Sequence, residues 1–342
     1  MIFVRKGRRR FVEAVEGFEA AVRDRDESGS RRGFRRIHRT FQGAGVEELT
    51  EGAGRLAALL PDVPAGPRGI VAVTVGACVE RGADPLRCAP AVLAGLAEAL
   101  DAAGEFGERW ETSGGGDLPE PDDGDPAPGL VERVGHRAAF AWWTLPQFEM
   151  AAVAMLNHGA VRSGLDAAER ARLLGALDTV QKATGHPFRC LEYALRVLDD
   201  EPVVALHRSS GTGYKLRMSS IGDNFQLHTL LADALIGGGH LAGRAPSAQE
   251  AAVCRDAPGQ VPTVGAFNLV TPEGEWVWNE GAPADIPVVD GVRLLVLDPP
   301  PYERSWQAGR FFPGMTGELV LERVLGAEES ARWFAGVGAG KP

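Results

Sequence analysis

The segment that most limits how this chain folds is ETSGGGDLPEPDDGDPAPGL, residues 111–130. Fifteen of its twenty residues are Gly, Pro, Asp or Glu, and none is Lys or Arg. Such a composition buries too little apolar surface to offset the entropy lost when the backbone becomes ordered. We therefore expect a flexible acidic linker here, with a separate domain on each side, in a chain of 342 residues that is long enough for two cores.

The patterns before the linker are mostly helical. Apolar residues at spacings of three and four predict a first helix: Phe11, Val15, Phe18 and Val22. Charge, Ser and Gly interrupt that pattern in DRDESGSRRG, residues 24–33. Similar apolar spacing predicts a helix over residues 46–60 and another from Pro90 to Gly104, whereas residues 70–79 fit either a buried helix or a strand.

The sequence therefore predicts two parts within the first 110 residues. Residues 1–43 form a basic N-terminal helical arm, and residues 44–110 form a helical domain. The arm contains 12 Arg and Lys against 6 Asp and Glu within residues 1–41, although the whole chain has a formal net charge of −10. A basic arm on an acidic body binds either that body or an external polyanion.

The chain after the linker mixes helices with strands. Asp166 as N-cap, Glu169 three residues later and Gly185 at the end predict a helix over residues 166–183. Residues 203–208 and 214–221 alternate as strands around the turn SSGTG.

Further strand patterns continue to the end of the chain. Asp290-Gly291 suits the positive φ angles of a tight hairpin between IPVV and VRLLVL, and residues 318–325 alternate once more. The predicted fold class is α+β: an N-terminal mostly helical domain, followed by a domain with an antiparallel sheet and helices over residues 131–342.

Several functional classes lack support in the sequence. The apolar runs are shorter than a membrane helix needs, and no apolar region follows the basic start, so we expect a soluble, cytoplasmic protein without a membrane partner. The four cysteines contain no C-x-x-C pair, and we expect neither a metal nor a cofactor. GFRRIHRTF interleaves aromatic residues with arginines, yet no known nucleic-acid-binding module accompanies it, so nucleic acid is the less favoured partner.

One stretch with the features of a binding site is SSIGDNFQLHTLLADALIGGGHLAG, residues 219–243. Asp223 or Asn224 suits a helix N-cap, and His228 falls at the edge of the apolar face that follows. Capping and burial explain much of this pattern, but Asp223 and Asn224 are also candidate ligand-binding residues, together with His240. The triple glycine before His240 predicts a mobile loop that contacts a ligand, while the twelve-residue spacing of the two histidines does not suit a metal site.

GHPFRC, residues 185–190, is the best catalytic candidate. Pro187 predicts a helix start, with His186 at the cap and Cys190 in the first turn, where the helix terminus lowers a thiol pKa. Cys190 would then act as a nucleophile with a histidine base, for which the candidates are His186, His207, His228 and His240. The alternative is a buried cysteine that only packs.

The C-terminal loop DPPPYERSWQAGRFFPGM, residues 298–315, is a candidate recognition surface. Its prolines lower the entropy cost of ordering, and its aromatic and cationic side chains suit an anionic or peptide partner. The side chains concerned are Tyr302, Arg304, Trp306 and Arg310. The alternative is a proline-rich lid that packs on the sheet.

The sequence thus predicts a soluble intracellular binding or interaction protein that acts through its C-terminal α+β domain on a protein or a small anionic ligand. One alternative is a cysteine-dependent hydrolase or acyl transferase that uses Cys190. Another is a nucleic-acid-associated protein that uses residues 1–41. Whether any reaction is catalysed stays open at this point.

Overall fold

The computed structural model describes residues 9–122 and 124–339. The chain forms two compact units, Met1–Leu195 and Arg196–Pro342. The first is helical, and the second contains a mainly antiparallel sheet with helices. The predicted α+β class is therefore confirmed.

The helical unit is built from ten helices in the part of the chain that the structure describes. They are α1 (Arg10–Arg23), α2 (Glu27–Phe41), α3 (Val46–Leu59), α4 (Ala65–Glu80), α5 (Ala89–Thr112), α6 (Pro128–Val134), α7 (His136–Leu156), α8 (Gly159–Gly164), α9 (Ala167–Thr184) and α10 (Arg189–Arg196), the last of which ends at the boundary between the units. Helix α7 packs on both α4 and α5 and forms the centre of this unit.

The segment 111–130 connects helices of the same unit. Helix α5 lies before it and α7 after it, yet these two helices pack together. The backbone between them is held by side-chain donors: Trp142 Nε1 donates to the Pro119 carbonyl at 2.9 Å, and Arg133 Nη2 donates to the Gly115 carbonyl at 2.8 Å. The boundary between the compact units, at residues 195 and 196, thus differs from the boundary predicted at the acidic segment.

Glycines allow two helices of this unit, α4 and α5, to pack closely against their neighbours. Residues 70–79 are helical, within α4, and Gly69 and Gly76 let this helix approach α7 closely. The prediction that Gly104 ends α5 is wrong, because α5 continues to Thr112. A Cβ atom on Gly107 would lie 2.6 Å from the Ala183 Cβ, so glycine serves helix packing at that position.

The sequence predicts a non-helical segment over residues 24–33, and the structure shows one only at the start of that range, between the end of α1 at Arg23 and the start of α2 at Glu27. Asp26 caps α2, because its carboxylate accepts a hydrogen bond from the Gly29 amide at 2.9 Å. Helix α2 then runs through the charged stretch with Ile37 as its one fully buried residue in the structure described. A charged, serine- and glycine-containing sequence can be helical when a good cap and one anchored face are present.

The second unit alternates strands with three helices among its described residues. In chain order its elements are β1 (Glu201–His207), β2 (Thr212–Ser219), α11 (Asn224–Ala232), α12 (Ala248–Arg255), β3 (Val261–Val264), β4 (Asn268–Val270), β5 (Val288–Val289), β6 (Val292–Asp298), β7 (Ser305–Ala308), β8 (Glu318–Val324) and α13 (Ala327–Phe334). A π-helical turn, Asp233–Gly237, extends α11. The apolar face of α11 packs into the core on one side of the sheet.

The main sheet has the strand order β4-β6-β1-β2-β8, with β5 paired to β6, and β3 and β7 form a separate pair. The predicted hairpins β1–β2 and β5–β6 are confirmed, and Asp290 and Gly291 have φ angles of 50° and 80°. The central pair differs from the expected antiparallel arrangement, because β1 and β6 are parallel, with Val203 opposite Arg293. The carboxyl ends of both strands therefore meet at one edge of the sheet.

Candidate functional site

The start of α11 is capped as the sequence predicts. The Asp223 carboxylate accepts a hydrogen bond from the Gln226 amide at 2.8 Å, and burial raises the Asp223 pKa to about 6. Asn224 is fully buried and donates through Nδ2 to the Trp278 carbonyl at 2.8 Å. Both side chains thus hold backbone in place, which is a structural use of two residues that we predicted to contact a ligand.

His228 is buried beneath the loop that follows β3. Its Nε2 accepts hydrogen bonds from the backbone N–H groups of Ala266 and Phe267, each at 3.1 Å, so the ring proton is on Nδ1. Burial lowers its pKa to about 4, against the opposing effect of the Asn279 side chain. The ring is therefore neutral at pH 7, and the nitrogen that a general base would use already accepts two hydrogen bonds.

A cleft lies at the edge of the sheet where β1 and β6 both end. It encloses about 340 Å³, at the small end of the range of ligand pockets. Four segments of the chain form its walls, and we call it the strand-end cleft. Its lining residues are His207, Ser209, Ile236, Ala242, Gly243, Arg244, Val264, Gly265, Ala266, Phe267, Asp298, Pro299 and Pro300.

The strand-end cleft brings together segments that the sequence singled out separately. The glycine loop after α11 contributes Gly243, whose φ of 147° favours glycine, and the C-terminal loop contributes Pro299 and Pro300. The β1–β2 turn contributes Ser209. His240 lies in the same glycine loop but is exposed, and its carbonyl accepts a 3.3 Å hydrogen bond from the Tyr214 hydroxyl.

His207 is the titratable side chain of this cleft with a shifted pKa. Its Nδ1 lies 2.8 Å from Ser210 Oγ. Burial lowers the His207 pKa, while the nearby Asp298 carboxylate acts in the opposite direction. A neutral ring at pH 7 follows, and when Ser210 donates to Nδ1, the Nε2–H group is a hydrogen-bond donor.

The two charged side chains that line the strand-end cleft, Asp298 and Arg244, differ in how they are paired. Arg208 Nε donates to Asp298 Oδ1 at 2.6 Å, which neutralises the one carboxylate of the lining. Arg244 is exposed and has no ion pair within 4.0 Å among residues 9–122 and 124–339, although Glu250 is within electrostatic range. Arg244 is therefore the charged side chain of the lining whose N–H donors have no direct carboxylate contact among the described residues, and these donors suit an anion better than a cation.

The predicted residues of the C-terminal loop serve mainly as packing and hydrogen-bonding groups. Arg310 donates to the carbonyls of Met315 and Ala257, and Arg304 Nη2 donates to the Phe267 carbonyl at 3.1 Å. Trp306 is part of β7, and its ring centroid lies 4.9 Å from that of His228.

Tyr302 is the exposed member of that predicted set, with 56% of its surface accessible. Its ring lies 5.9 Å from the Arg304 guanidinium carbon, and Arg304 lies 5.8 Å from the Trp276 ring. Trp278, beside Trp276, is 61% exposed. These groups form an aromatic surface outside the strand-end cleft lining.

The surroundings of Cys190 do not favour a thiolate. Cys190 is exposed at the start of α10, and burial and the Glu149 carboxylate both raise its pKa. The His186 ring packs edge-on against Phe188, with ring centroids 4.7 Å apart. The other predicted bases, His207, His228 and His240, belong to the second compact unit. The role of Cys190 as a nucleophile stays a prediction.

Two further observations concern the residues that the structure describes. No group of three or more His, Cys, Asp or Glu side chains is arranged to hold a metal ion. No helix in the same residues combines the length and apolar character that crossing a bilayer requires.

Sequence reasoning missed the main features of the strand-end cleft. His207, Asp298 and Arg244 were not predicted as one site, because they lie on separate segments that meet only through the parallel pairing of β1 with β6. A usable signal was present: a polar or charged residue directly follows the buried run of each strand, and the carboxyl ends of parallel strands share an edge.

In comparisons with family models, curated proteins and solved structures, nothing matches this chain, so no family is assigned to it.

Proposed function

We propose that the C-terminal unit binds a small anionic ligand in the strand-end cleft. The observation that carries the proposal is Arg244, an exposed guanidinium on the wall of an approximately 340 Å³ cleft whose lining carboxylate is already paired. Arginine presents several N–H donors in a planar fork that matches carboxylate and phosphate oxygens. The anionic group of the ligand would therefore lie on Arg244.

The remaining walls indicate what else the ligand carries. Ile236, Val264 and Phe267 supply apolar surface, and the prolines after β6 add rigid walls. His207 and Ser209 add polar groups at the end of β1. A compact molecule with one anionic group and an apolar body satisfies both kinds of wall.

This proposal is favoured over a cysteine-dependent hydrolase or acyl transferase. The Cys190 thiol has a raised pKa, which lowers the fraction of the nucleophilic thiolate at pH 7. The strand-end cleft, by comparison, offers a concave site of about 340 Å³ and an arginine without an ion pair among the described residues.

The test uses matched probes of one shape. Benzoate, phenylacetate and phenyl phosphate are anions with an apolar ring, and benzamide is a neutral counterpart of benzoate. Thermal unfolding of the full chain at low salt and pH 7.5 should show stabilisation by at least one anion and none by benzamide. A ligand at 100 times its Kd stabilises the folded state by about 2.7 kcal/mol.

Variants then locate the binding site. Arg244→Gln should abolish the stabilisation by the anion, while Arg332→Gln, which removes an exposed arginine of α13, should leave it intact. The proposal is refuted if none of the three anions stabilises the chain. It is equally refuted if benzamide is as effective as benzoate, or if the two variants behave alike.

A further inference from the structure

Helix α2 presents a basic face to solvent, which consists of Arg31, Arg32, Arg35, Arg36 and Arg39. At 3.6 residues per turn these five side chains project within an arc of about 140° around the helix axis. All five residues are exposed.

The opposite side of α2 is anchored on α1. Phe34 packs against Phe18 with ring centroids 5.6 Å apart, and Ile37 is fully buried. A Cβ atom on Gly33 would lie 2.9 Å from the Phe18 Cα, so only glycine allows the two helices to approach this closely. The anchored side fixes the direction of the basic face, which is exposed to solvent and borders α1 at Arg36.

Only part of the positive charge on this face is matched within the chain. Three arginines have exposed carboxylate partners: Arg31 pairs with Glu27, Arg32 with Asp26 and Arg36 with Glu13. Exposed pairs of this kind contribute little free energy and can exchange partners. In the described parts of the chain, the guanidinium groups of Arg35 and Arg39 form no ion pair and no hydrogen bond.

The acidic segment 111–130, which could have neutralised this face, is held elsewhere in the same unit. Trp142 Nε1 donates to the Pro119 carbonyl, and Trp143 Nε1 donates to Asp122 Oδ1 at 3.3 Å. Both tryptophans belong to α7. These contacts hold Pro119 and Asp122 on α7, and no ion pair joins a described acidic residue of this segment to the five arginines of the α2 face.

We propose that the basic face of α2 binds the phosphate backbone of duplex DNA. Protein–protein interfaces have apolar, aromatic cores, and neither α1 nor α2 exposes a large apolar side chain within the described residues. Interfaces with nucleic acid are instead polar and strongly positive. This inference is independent of the strand-end cleft, because it concerns the other compact unit.

The spacing of the arginines fits a phosphate backbone. Arg31, Arg35 and Arg39 follow one another at intervals of four residues and so span about 12 Å along the helix. One strand of B-DNA presents a phosphate about every 3.4 Å along the duplex axis but also winds around that axis, so at most about three phosphates lie within that reach. Three arginine contacts predict that log Kd changes with log salt concentration with a slope of about 2.7.

The experiment is fluorescence anisotropy of a labelled 20-base-pair DNA duplex titrated with the full chain. Raising the salt concentration from 50 to 200 mM should weaken binding about 40-fold. In the double variant Arg35→Gln/Arg39→Gln, one contact of the three is left, and the same change in salt should weaken binding only about 3- to 4-fold. Circular dichroism should show that the variant stays helical, because both side chains are exposed.

Two matched variants make the result specific. Arg189→Gln/Arg332→Gln removes the same charge from exposed positions elsewhere and should bind as the unmodified chain does. Arg35→Lys/Arg39→Lys keeps the charge and should retain most of the affinity. The proposal is overturned if the duplex does not bind at 50 mM salt or if both glutamine variants lose affinity equally. Competition by a polyglutamate peptide that exceeds competition by unlabelled duplex would overturn it in favour of an acidic protein.

Discussion

Replacing His228 by leucine should destabilise the C-terminal unit by about 2–4 kcal/mol. The imidazole is the acceptor for the N–H groups of Ala266 and Phe267, and leucine offers none. A buried donor without an acceptor costs about 1–3 kcal/mol. The Phe267 bond is buried and the Ala266 bond is only partly so, which places the expected total in the lower half of the summed range of about 2–6 kcal/mol.

Urea unfolding at pH 7.5 measures this loss, and hydrogen exchange locates it. The peptide that contains Ala266 and Phe267 should exchange faster in His228→Leu. Two controls bracket the result: His228→Gln keeps an acceptor and should lose less, and His240→Leu changes an exposed ring and should stay within about 0.5 kcal/mol. A loss below 0.5 kcal/mol for His228→Leu, with exchange unchanged, would refute the role assigned to this ring.

The pH dependence gives the same reasoning a second test. The folded-state pKa of His228, about 4, lies below the ordinary value of 6.5, so the unfolded chain binds this proton first. The stability that neutral His228 contributes is present above pH 6.5 and is lost as the pH falls towards 4. At about 1.4 kcal/mol per pKa unit, the difference is about 3 kcal/mol. The penalty of His228→Leu should therefore shrink between pH 7.5 and pH 4.5, and a constant penalty would contradict the pKa argument.

Three further predictions concern single positions. Asp223→Asn keeps a good N-cap but removes a carboxyl whose pKa is raised from 3.8 to about 6. The parent loses stability as the pH rises from 4 to 7, because this carboxyl ionises more readily in the unfolded chain. Urea unfolding should therefore show the variant gaining stability relative to the parent over this pH range. Gly33→Ala should lower the free energy of unfolding by about 1–3 kcal/mol, measured in urea, because the added Cβ meets Phe18. Gly17→Ala, whose Cβ would have no atom within 4 Å, should raise the free energy of unfolding by about 0.5–1 kcal/mol. Equal effects of the two substitutions would contradict the packing argument. Iodoacetamide at pH 7 should alkylate Cys190 more slowly than an unstructured cysteine peptide, because its thiol pKa is raised, and faster labelling would restore the nucleophile hypothesis.

Local chemistry made much of the fold predictable. Asp166 accepts from the Glu169 amide at 2.8 Å, and Gly185 ends α9 with a φ of 69°, as the sequence indicates. The Asp290-Gly291 turn also follows from residues adjacent in the chain. Each of these features depends on groups within a few positions of one another, and propensities describe such groups well.

Features that depend on distant contacts were not predictable in this way. The glycine- and proline-rich composition of residues 111–130 predicts disorder, whereas tryptophan and arginine donors from α6 and α7 hold the backbone. The burial of His228 under Ala266 and Phe267 requires the fold of a loop almost forty residues away. The strand-end cleft needs four segments to meet, and no pattern within any one of them specifies the other three.

The parallel pairing of β1 with β6 has a consequence for how the chain is made. About 90 residues separate Val203 from its partner Arg293, so the β1–β2 hairpin leaves the ribosome long before its neighbours exist. Strand β8, which covers the other edge of that hairpin, is synthesised later still. Until then both edges carry unpaired backbone groups that another nascent chain can join. The C-terminal unit should therefore fold late and slowly, and a stalled or truncated chain that ends before β6 should aggregate through its exposed hairpin.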